Sequence, residues 1–245
     1  MRRIRFVVAY DGTEFHGWQV QPGQATIQGT LEEILAGIEG KPVRLHGSGR
    51  TDAGVHALAQ VAACDLENPI PPENLRRAVN RLLPGDIRVL AVDEAAPDFH
   101  PRFDAQAKTY EYRIFRHEIV PPFERRYVHH HPFPLQEQAM MEAAPLLEGE
   151  HDFSAFAAAD ERDTLGLTKV RTIFSSRLER RADRLIYRVR GNGFLKHMVR
   201  NIVGVLLETG KGNVSQEDWR RLLTGAGKAV PTAPARGLFL MGVEY

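Results

Sequence analysis

Residues 47–64 read GSGRTDAGVHALAQVAAC, a glycine-rich loop that runs directly into an apolar segment. Gly47, Gly49 and Gly54 give the loop a backbone that can turn sharply and let another molecule come close. The apolar half, residues 58–64, predicts a buried strand. A loop attached to a core strand can hold its side chains at one place in the fold.

The loop carries a cation and a short acid, Arg50 and Asp52. A carboxylate beside a guanidinium stays ionised, which an acid that acts as a nucleophile requires. An Asp-Ala-Gly turn with a surface ion pair would use the same residues. The spacing alone leaves both interpretations open, and it makes Asp52 the first candidate catalytic residue.

The composition indicates a soluble globular chain that is long enough for two modest domains. Its 245 residues are 43% hydrophobic, and no apolar run approaches the roughly 20 residues that cross a bilayer. The single cysteine, Cys64, lies in the predicted core strand, which favours a reducing compartment. The basic N-terminus continues as a short alternating segment without a cleavage site. We therefore expect a cytoplasmic protein without a membrane partner.

Arginine supplies most of the positive charge. The net charge is only +1, but six lysines leave 26 of the 32 basic residues as arginine. Clusters of arginine lie at residues 2–5, 76–81, 125–126 and 177–190. Arginine contacts phosphate in a planar, bidentate way and stacks on bases, so the clusters fit an RNA-binding face. A bias of the genome or of growth temperature would give the same composition.

The hydrophobic periodicity divides the chain into two similar halves. The first half predicts strands at 3–10, 58–64 and 87–92, a helix between Thr26 and Gly40, and a second helix that starts at Pro71-Pro72, carries Leu75, Val79, Leu82 and Leu83, and ends at Pro84. The second half predicts strands at 109–116, 170–178, 185–189 and 237–245, with helices at 135–147, at 194–208 and from Ser215. We expect an α+β protein with domains at 1–104 and 105–245, each a mainly antiparallel sheet with helices on one side, and a ligand cleft between them.

Two residues of the second half add to the candidate site. Arg200 lies at the boundary of the apolar face of the 194–208 helix, where it could point into a cleft, whereas Lys196 and His197 fit a solvated helix edge. Tyr110 lies on the first strand of this half and could stack on a base or hold its phenol near a reacting carbon. For Tyr112 a core position is the favoured interpretation.

The sequence predicts no metal and no cofactor. The consecutive histidines at 129–131 would point to alternating faces of a strand, and His46, His56 and Cys64 lack the spacing of metal ligands. No Walker-type loop and no Gly-x-Gly-x-x-Gly after a strand occurs. The serine at 48 lacks the pattern of a nucleophile elbow.

Several segments together resemble one enzyme family. The segment from Gly49 to Ala57 resembles the catalytic loop of the tRNA pseudouridine synthase A family. Further segments match in family order from the first strand to the last: Tyr10-Asp11-Gly12 with Gly17-Trp18-Gln19, Phe99 to Phe103, Tyr110-Glu111-Tyr112, His197 to Gly204, and Gly237 to Leu240. Ser48 and Pro101 depart from the family pattern, at positions that are not catalytic.

The resemblance implies isomerisation of uridine to pseudouridine at tRNA positions 38, 39 and 40, on the 3′ side of the anticodon stem-loop. It also implies two RRM-like halves around an active-site cleft, a homodimer, tRNA as partner, and no cofactor or metal. On the matching positions Asp52 would be the nucleophile, attacking either the ribose or the base, and Arg200 its ion-pair partner. Tyr110 would stack on the target base and could help move the proton of carbon 5. Arg50 would hold backbone or help extrude the nucleotide, and Leu238 would line the pocket.

Two other functions remain compatible with the sequence. A non-catalytic tRNA-binding or chaperone protein could keep the fold without the chemistry, although the presence of Asp52, Tyr110 and Arg200 together argues against it. A hydrolase could use Asp52 to cleave a nucleosidic bond. Release of free uracil would identify a hydrolase, because an isomerase releases nothing.

Overall fold

The structure, a computed structural model, describes residues 1–159, 166 and 168–245. It divides into two compact units, the first with Met1–Gln106 and Phe239–Tyr245, the second with Ala107–Leu238. Across the described residues, no helix combines the length and the apolarity that crossing a bilayer would take.

The first unit is built on a four-stranded sheet. Its elements in chain order are β1 (Arg2–Tyr10), α1 (Ile27–Glu39), β2 (His46–Gly47), β3 (His56–Leu66), α2 (Pro72–Leu82) and β4 (Ile87–Glu94), and the last strand of the chain, β10 (Leu238–Glu244), joins them. The strand order is β4-β1-β3-β10, antiparallel except for the parallel pair of β3 and β10. The predicted order of strands and helices is confirmed, with β2 as an added short strand paired to β3.

The alternation of buried and half-buried residues along β1 shows which face of the strand packs into the core of this unit. Ile4, Phe6 and Val8 are buried, while the residues between them are half-buried. Ile4 lies opposite Cys64 of β3, which is fully buried as predicted. Burial raises the pKa of the Cys64 thiol to about 12, so the thiol is neutral and packs as a small apolar side chain.

Both helices of the first unit begin where the sequence predicts. The Thr26 hydroxyl accepts the N–H of Gly29 at 3.2 Å, and Gly40 ends α1 with a φ of 79°. The prediction that Leu82 joins the apolar face of α2 is wrong, because its exposed fraction is 60%. Leu83, which follows the last helical residue, is buried in its place.

The second unit contributes four further strands in antiparallel order, with one short strand beside them. Its elements in chain order are β5 (Ala107–Phe115), β6 (His129–His130), α3 (Glu137–Ala143), β7 (Gly149–Asp152), β8 (Val170–Arg181), β9 (Arg184–Gly191), α4 (Met198–Gly210) and α5 (Gln216–Leu223), with 3-10 turns at Ala144–Leu147, Ser154–Phe156 and Ala235–Gly237. The antiparallel order is β5-β9-β8-β7, and β6 pairs parallel with β5.

Two helices of this unit differ from the prediction. The helix expected at 135–147 is α-helical only to Ala143, because Pro145 lacks the N–H that a continuing α-helix would donate. The helix expected at 194–208 begins at Met198, because His197 has a φ of 61° and this left-handed conformation does not continue a helix. Lys196 and His197 therefore precede α4. The predicted start at Ser215 is confirmed by a capping box with Asp218.

Both units combine a mainly antiparallel sheet with helices, so the α+β class is confirmed. In the second unit, Tyr110, Tyr112 and Ile114 of β5 share one face and are buried. The opposite face is more open, since Arg177 of β8 and Arg188 of β9 are exposed there. The sheet of the second unit thus has one core face and one polar face.

Candidate active site

The loop at residues 47–57, called here the Asp52 loop, is fixed at its start by a buried polar pair. Ser48 Oγ donates to Gln60 Oε1 at 2.6 Å, and Gln60 Nε2 donates to the Gly49 carbonyl at 3.0 Å. Neither side chain is exposed. Gln60 belongs to β3, the strand into which the loop runs, so one strand holds both ends of the loop. A glutamine inside a predicted core strand was the sequence signal for this pair, since a buried amide needs partners.

The residue before Asp52 is held from two sides. The hydroxyls of Thr51 and Tyr10 lie 2.8 Å apart, and the N–H of Trp18 donates to the Thr51 carbonyl at 3.1 Å. Burial raises the pKa of Tyr10 far above its ordinary value, so the hydrogen bond joins two neutral groups. These contacts fix the backbone from which the Asp52 side chain extends.

Asp52 is half-buried at the top of a tight turn. Its carbonyl accepts the N–H of Val55 at 3.1 Å, and Gly54 has a φ of 75°, which suits glycine. Arg50 is exposed and makes no hydrogen bond or ion pair within the described part of the chain. The loop thus presents a partly shielded carboxylate and an exposed guanidinium, and Arg50 does not form the ion pair with Asp52 that the sequence suggested.

Two glycines bring a second backbone segment against the Asp52 loop. A Cβ on Gly12 would lie 2.0 Å from the Val55 carbonyl oxygen. A Cβ on Gly17, whose φ is 85°, would lie 2.4 Å from the Thr51 carbonyl oxygen. Both positions therefore exclude any side chain. The close approach explains why the Tyr10-Asp11-Gly12 and Gly17-Trp18 segments accompany the loop.

His56, at the end of the loop, joins three elements of the first unit. Its Nδ1 lies 3.1 Å from the Gly12 nitrogen and 3.1 Å from Asp11 Oδ1. We assign Nδ1 as the acceptor of the Gly12 N–H, because Asp11 Oδ1 already accepts both the N–H and the hydroxyl of Thr13. The ring also stacks on Phe239 with centroids 4.7 Å apart. The 2% exposure of His56 fits this bridging role.

Tyr110 and Tyr112 share one face of β5 but have different surroundings. Tyr110 is 7% exposed, and its ring contacts Phe194 edge-on with centroids 5.0 Å apart. Tyr112 is fully buried, and its hydroxyl donates to the Pro234 carbonyl at 2.7 Å. The prediction of Tyr112 as a core residue is confirmed.

Arg200 lies in the first turn of α4 and is half-buried. Its Nε donates to the Ala233 carbonyl at 2.8 Å, while the Ala233 N–H donates to the Arg200 carbonyl at 3.1 Å. Burial raises the pKa of Tyr112, and the nearby charge of Arg200 opposes that rise. Arg200 is therefore within electrostatic reach of the β5 face that carries Tyr110.

The five predicted site residues divide between the two units. Asp52 and Arg50 share one loop of the first unit, whereas Tyr110, Arg200 and Leu238 belong to the second. Leu238 is 6% exposed and follows Gly237, at which a Cβ would lie 2.7 Å from the Tyr112 ring. In the described ranges, no three His, Cys, Asp or Glu side chains are grouped so that they could hold a metal ion.

Glu111 is a buried charged residue of β5 that the sequence pattern did not single out. Its carboxylate accepts Nε of Arg113 at 2.7 Å and Nε of Arg188 at 2.7 Å, and it is 4% exposed. Burial would raise the pKa of Glu111, but the hydrogen bonds and charges of the two arginines outweigh burial and hold it below the ordinary value. A buried, ionised Glu111 thus orients two guanidinium groups. The sequence alone does not predict this contact, because Arg188 lies 77 residues away and meets Glu111 only through the pairing of β5 with β9.

The arginine clusters are not equivalent. Arg2, Arg3 and Arg5 each form an ion pair, with Glu94, Asp65 and Asp93 at 2.5, 3.0 and 3.0 Å. On the polar face of the second unit, Arg177 makes no hydrogen bond or ion pair among the described residues. The Arg190 guanidinium lies 4.9 Å from the centroid of the half-exposed Phe174 ring. Four arginines of the 177–190 cluster are ion-paired as well, namely Arg180, Arg181, Arg184 and Arg188. Arg177 is therefore the better candidate for anion contact in this cluster.

Comparison with known proteins agrees with these motifs. A family model described as tRNA pseudouridine synthase matches residues 6–104 and 143–245. The matched ranges include the whole Asp52 loop and helix α4.

Curated relatives match over their full length. A tRNA pseudouridine synthase A from Solibacter usitatus is 66% identical over 245 residues, which is all of both chains. The protein of that name from Brevibacillus brevis is 44% identical over 247 residues, again with both chains fully covered. One from Citrifermentans bemidjiense is 45% identical over 248 residues, covering all of this chain and 98% of the relative.

Proposed function

The chain belongs to the tRNA pseudouridine synthase family and is an isomerase that acts on tRNA, and we propose that it modifies positions 38, 39 and 40 of the anticodon stem-loop with Asp52 as its nucleophile. The Asp52 loop is the observation that carries this proposal. Its backbone is fixed by Gln60, by Tyr10 and by two close glycines, and a half-buried carboxylate extends from it.

The reaction rearranges one nucleotide without a change in oxidation state. The glycosidic bond from N1 of uracil to the ribose breaks, the base turns while it is held, and carbon 5 bonds to the same ribose carbon. Carbon 5 gives up its proton, and N1 ends with one. A carboxylate that forms a transient covalent bond divides this exchange into easier steps. Partial burial of Asp52 favours that role, since a less hydrated carboxylate is a better nucleophile.

Arg200 is proposed as the cation that keeps Asp52 ionised. Support comes from its half-buried position in the first turn of α4, where the Ala233 carbonyl orients its Nε at 2.8 Å. Arg200→Lys keeps the charge but loses the planar guanidinium, so we expect a larger loss of turnover than of thermal stability. A fall in melting temperature alone would leave Arg200 with a structural role only.

The remaining site residues are assigned to the base. Tyr110 would stack on the target uracil and could help move its carbon-5 proton, and Leu238 would line the pocket. Arg50 would help extrude the nucleotide, because a stem base must leave the stack before it reacts, at a cost of a few kcal/mol. Exposure of Arg50 without an internal partner in the described residues supports this assignment.

We further propose two RRM-like halves, a homodimer, and a cytoplasmic location. The two compact units, each with mainly antiparallel strands and helices, support the halves. The homodimer rests on the family alone. Sedimentation of the purified protein tests it, and a monomer at micromolar concentration would contradict it.

The experiment that tests the function uses tRNA transcripts that carry uridine at positions 38, 39 and 40. Wild-type protein and Asp52→Asn are incubated with each transcript, and carbodiimide-blocked primer extension maps the pseudouridine. We expect stops at the three positions with wild type and none with Asp52→Asn, while tRNA affinity stays nearly equal.

Other outcomes separate the alternatives. Substantial turnover by Asp52→Asn would remove Asp52 from the role of nucleophile, and stops elsewhere in the tRNA would contradict the proposed positions. Binding without any stop would indicate a non-catalytic tRNA-binding protein. Release of free uracil would indicate a hydrolase.

A further inference from the structure

Three aromatic rings form a row on the surface of the first unit. The ring of His46, on β2, lies 5.6 Å from that of His100, and the His100 ring lies 4.3 Å from that of Phe103 with an interplanar angle of 34°. Phe103 ends the row and is 74% exposed. A large apolar ring that is mostly exposed to water and is supported by His100 is suited to contact with a flat ligand.

The turn that carries Phe103 is held from outside. Arg3 Nε donates to the Phe99 carbonyl at 2.9 Å, and the Tyr245 hydroxyl donates to the Pro101 carbonyl at 2.7 Å. The Tyr245 ring also packs on Phe99 at 5.0 Å. The exposed ring is therefore mounted on a fixed backbone, and a ligand that stacks on it need not order the turn first.

Hydrogen bonds within the turn hold the His100 ring in place. Its Nδ1 accepts the N–H of Arg102 at 3.2 Å and that of Phe103 at 3.3 Å. The backbone N–H of His100 donates to Asp104 Oδ2 at 2.9 Å. The His100 ring is thereby fixed against Phe103.

The surroundings of the row favour a polyanion. The Arg102 guanidinium lies 5.6 Å from the centroid of the Phe103 ring. Burial and the charges of Arg3 and Arg44 hold the pKa of His46 below its ordinary value, and Arg44 is exposed. Arg3 is paired with Asp65 at 3.0 Å, so Arg44 is the better candidate of the two for contact with an anion, and Asp104 is bonded within the turn. Aromatic rings bind a nucleotide base by stacking, and cations bind its phosphate. A row of rings among cations therefore suits a nucleotide.

The row is connected to the proposed nucleophile. His46 immediately precedes the Asp52 loop, and Gly47 pairs with Ala62 of β3 in the same short strand. Asp52 lies six positions after His46 in the sequence, a span of at most about 22 Å. A base stacked on Phe103 would therefore belong to the same arm of the RNA as the target uridine.

From this geometry we propose that Phe103, supported by His100, is a stacking platform for an unpaired base of the anticodon arm. The proposal rests on the proposed function, since it takes the anticodon stem-loop as the RNA that is bound. Stacking of one base on an aromatic side chain is worth about a tenfold change in affinity or more. It is neutral in charge, so its loss leaves the salt dependence of binding unchanged.

The test measures the affinity of a labelled anticodon stem-loop by fluorescence anisotropy at several salt concentrations. We expect Phe103→Ala to bind about tenfold more weakly, with the same slope of log K against log salt, and Phe103→Trp to restore the affinity. Phe123→Ala is the matched control, because Phe123 is 91% exposed and lies in the second unit. We expect the control to bind like wild type.

Several results would overturn the platform. They are unchanged binding by Phe103→Ala, an equal loss with Phe123→Ala, or a loss that Phe103→Trp does not restore. A change in sedimentation of Phe103→Ala would assign the ring to contact between protein chains instead. Pseudouridine mapping with the same wild-type preparation separates the two proposals. If wild type leaves this stem-loop unmodified but Phe103→Ala still weakens binding, the proposed positions fail and the platform stands.

Discussion

Arg177 on β8 and Arg188 on β9 lie directly opposite each other on the polar face of the second unit. Like charges at opposed positions destabilise a strand pair. Glu111 accepts Nε of Arg188 at 2.7 Å but shares its single charge with Arg113, whereas Arg177 has no internal partner in the ranges that the structure describes. An anion bound during function would relieve this repulsion, and the phosphates of tRNA supply one.

Replacement of Arg177 tests this relationship. We expect Arg177→Gln to weaken tRNA binding and to reduce the slope of log K against log salt by about 0.7–0.9, the value for one phosphate contact. Its melting temperature should equal or exceed that of wild type, because the repulsion is gone. Titrations at several salt concentrations measure the slope. Arg220→Gln, at an exposed position on α5, is the control, and an equal effect there would contradict a specific phosphate contact.

The role of the Tyr110 hydroxyl can be tested separately from the role of its aromatic ring. Tyr110→Phe keeps the edge-on contact with Phe194, so we expect nearly unchanged tRNA affinity of the folded protein but a lower kcat. Tyr112→Phe is the control on the same face of β5. It leaves the Pro234 carbonyl without its hydrogen bond, which should cost about 1 kcal/mol of stability and little turnover per folded molecule. Full kcat in Tyr110→Phe would confine Tyr110 to stacking.

The close approach at Gly17 can be tested against a glycine with space around it. Gly17→Ala places a Cβ 2.4 Å from the Thr51 carbonyl, so the backbone next to Asp52 must move. Gly23 has a φ of 71° with nothing within 4 Å of a Cβ, so Gly23→Ala costs only the left-handed conformation, about 1–2 kcal/mol. We expect both variants to lose stability, but only Gly17→Ala to lose most of its kcat. Equal turnover in the folded fractions of the two would contradict a rigid Asp52 loop.

His129 makes stability depend on pH. Burial, together with the charges of His131 and Arg236, lowers its pKa to about 4 from an ordinary 6.5. The unfolded chain binds a proton more readily at this site, so the stabilising contribution is fully present above about pH 6.5 and is lost as the pH falls toward 4. The loss is at most about 3 kcal/mol.

Urea unfolding at about pH 7 and about pH 5 measures this effect. His129→Gln should lose less stability between the two pH values than wild type. His16→Gln, at an exposed position of the first unit, should keep the wild-type dependence. An unchanged pH dependence in His129→Gln would show that other groups cause the acid sensitivity.

Local signals in the sequence were enough to predict the ends of a helix where a single residue type sets the backbone conformation. The cap at Thr26, the stop at Gly40 and the capping box at Ser215 need only neighbours in the chain, and all three are confirmed. The start of α4 is different. Its apolar period continues back through Leu195, yet the left-handed φ of His197 breaks the helix, and histidine does not signal that conformation.

The candidate site also combines features that local sequence predicts with features that depend on distant residues. The spacing of glycines around Asp52 predicts a tight loop, because glycine conformations are local. The partners that fix the loop are distant in sequence: Tyr10 lies 41 residues from Thr51, and Gln60 holds Gly49 from the next strand. Glu111 and Phe103 also depend on distant partners: Arg188 lies on another strand, and the turn that carries Phe103 is held by residues from both ends of the chain.

Cys64 has a practical consequence for experiments on this protein. The only cysteine of the chain is fully buried and has a pKa of about 12, so thiol reagents will not attack it in the folded state. A cysteine introduced at an exposed position such as Arg220 is then the one site that a maleimide dye can label. Real-time fluorescence of tRNA capture and release therefore becomes possible in a protein that keeps every native core residue.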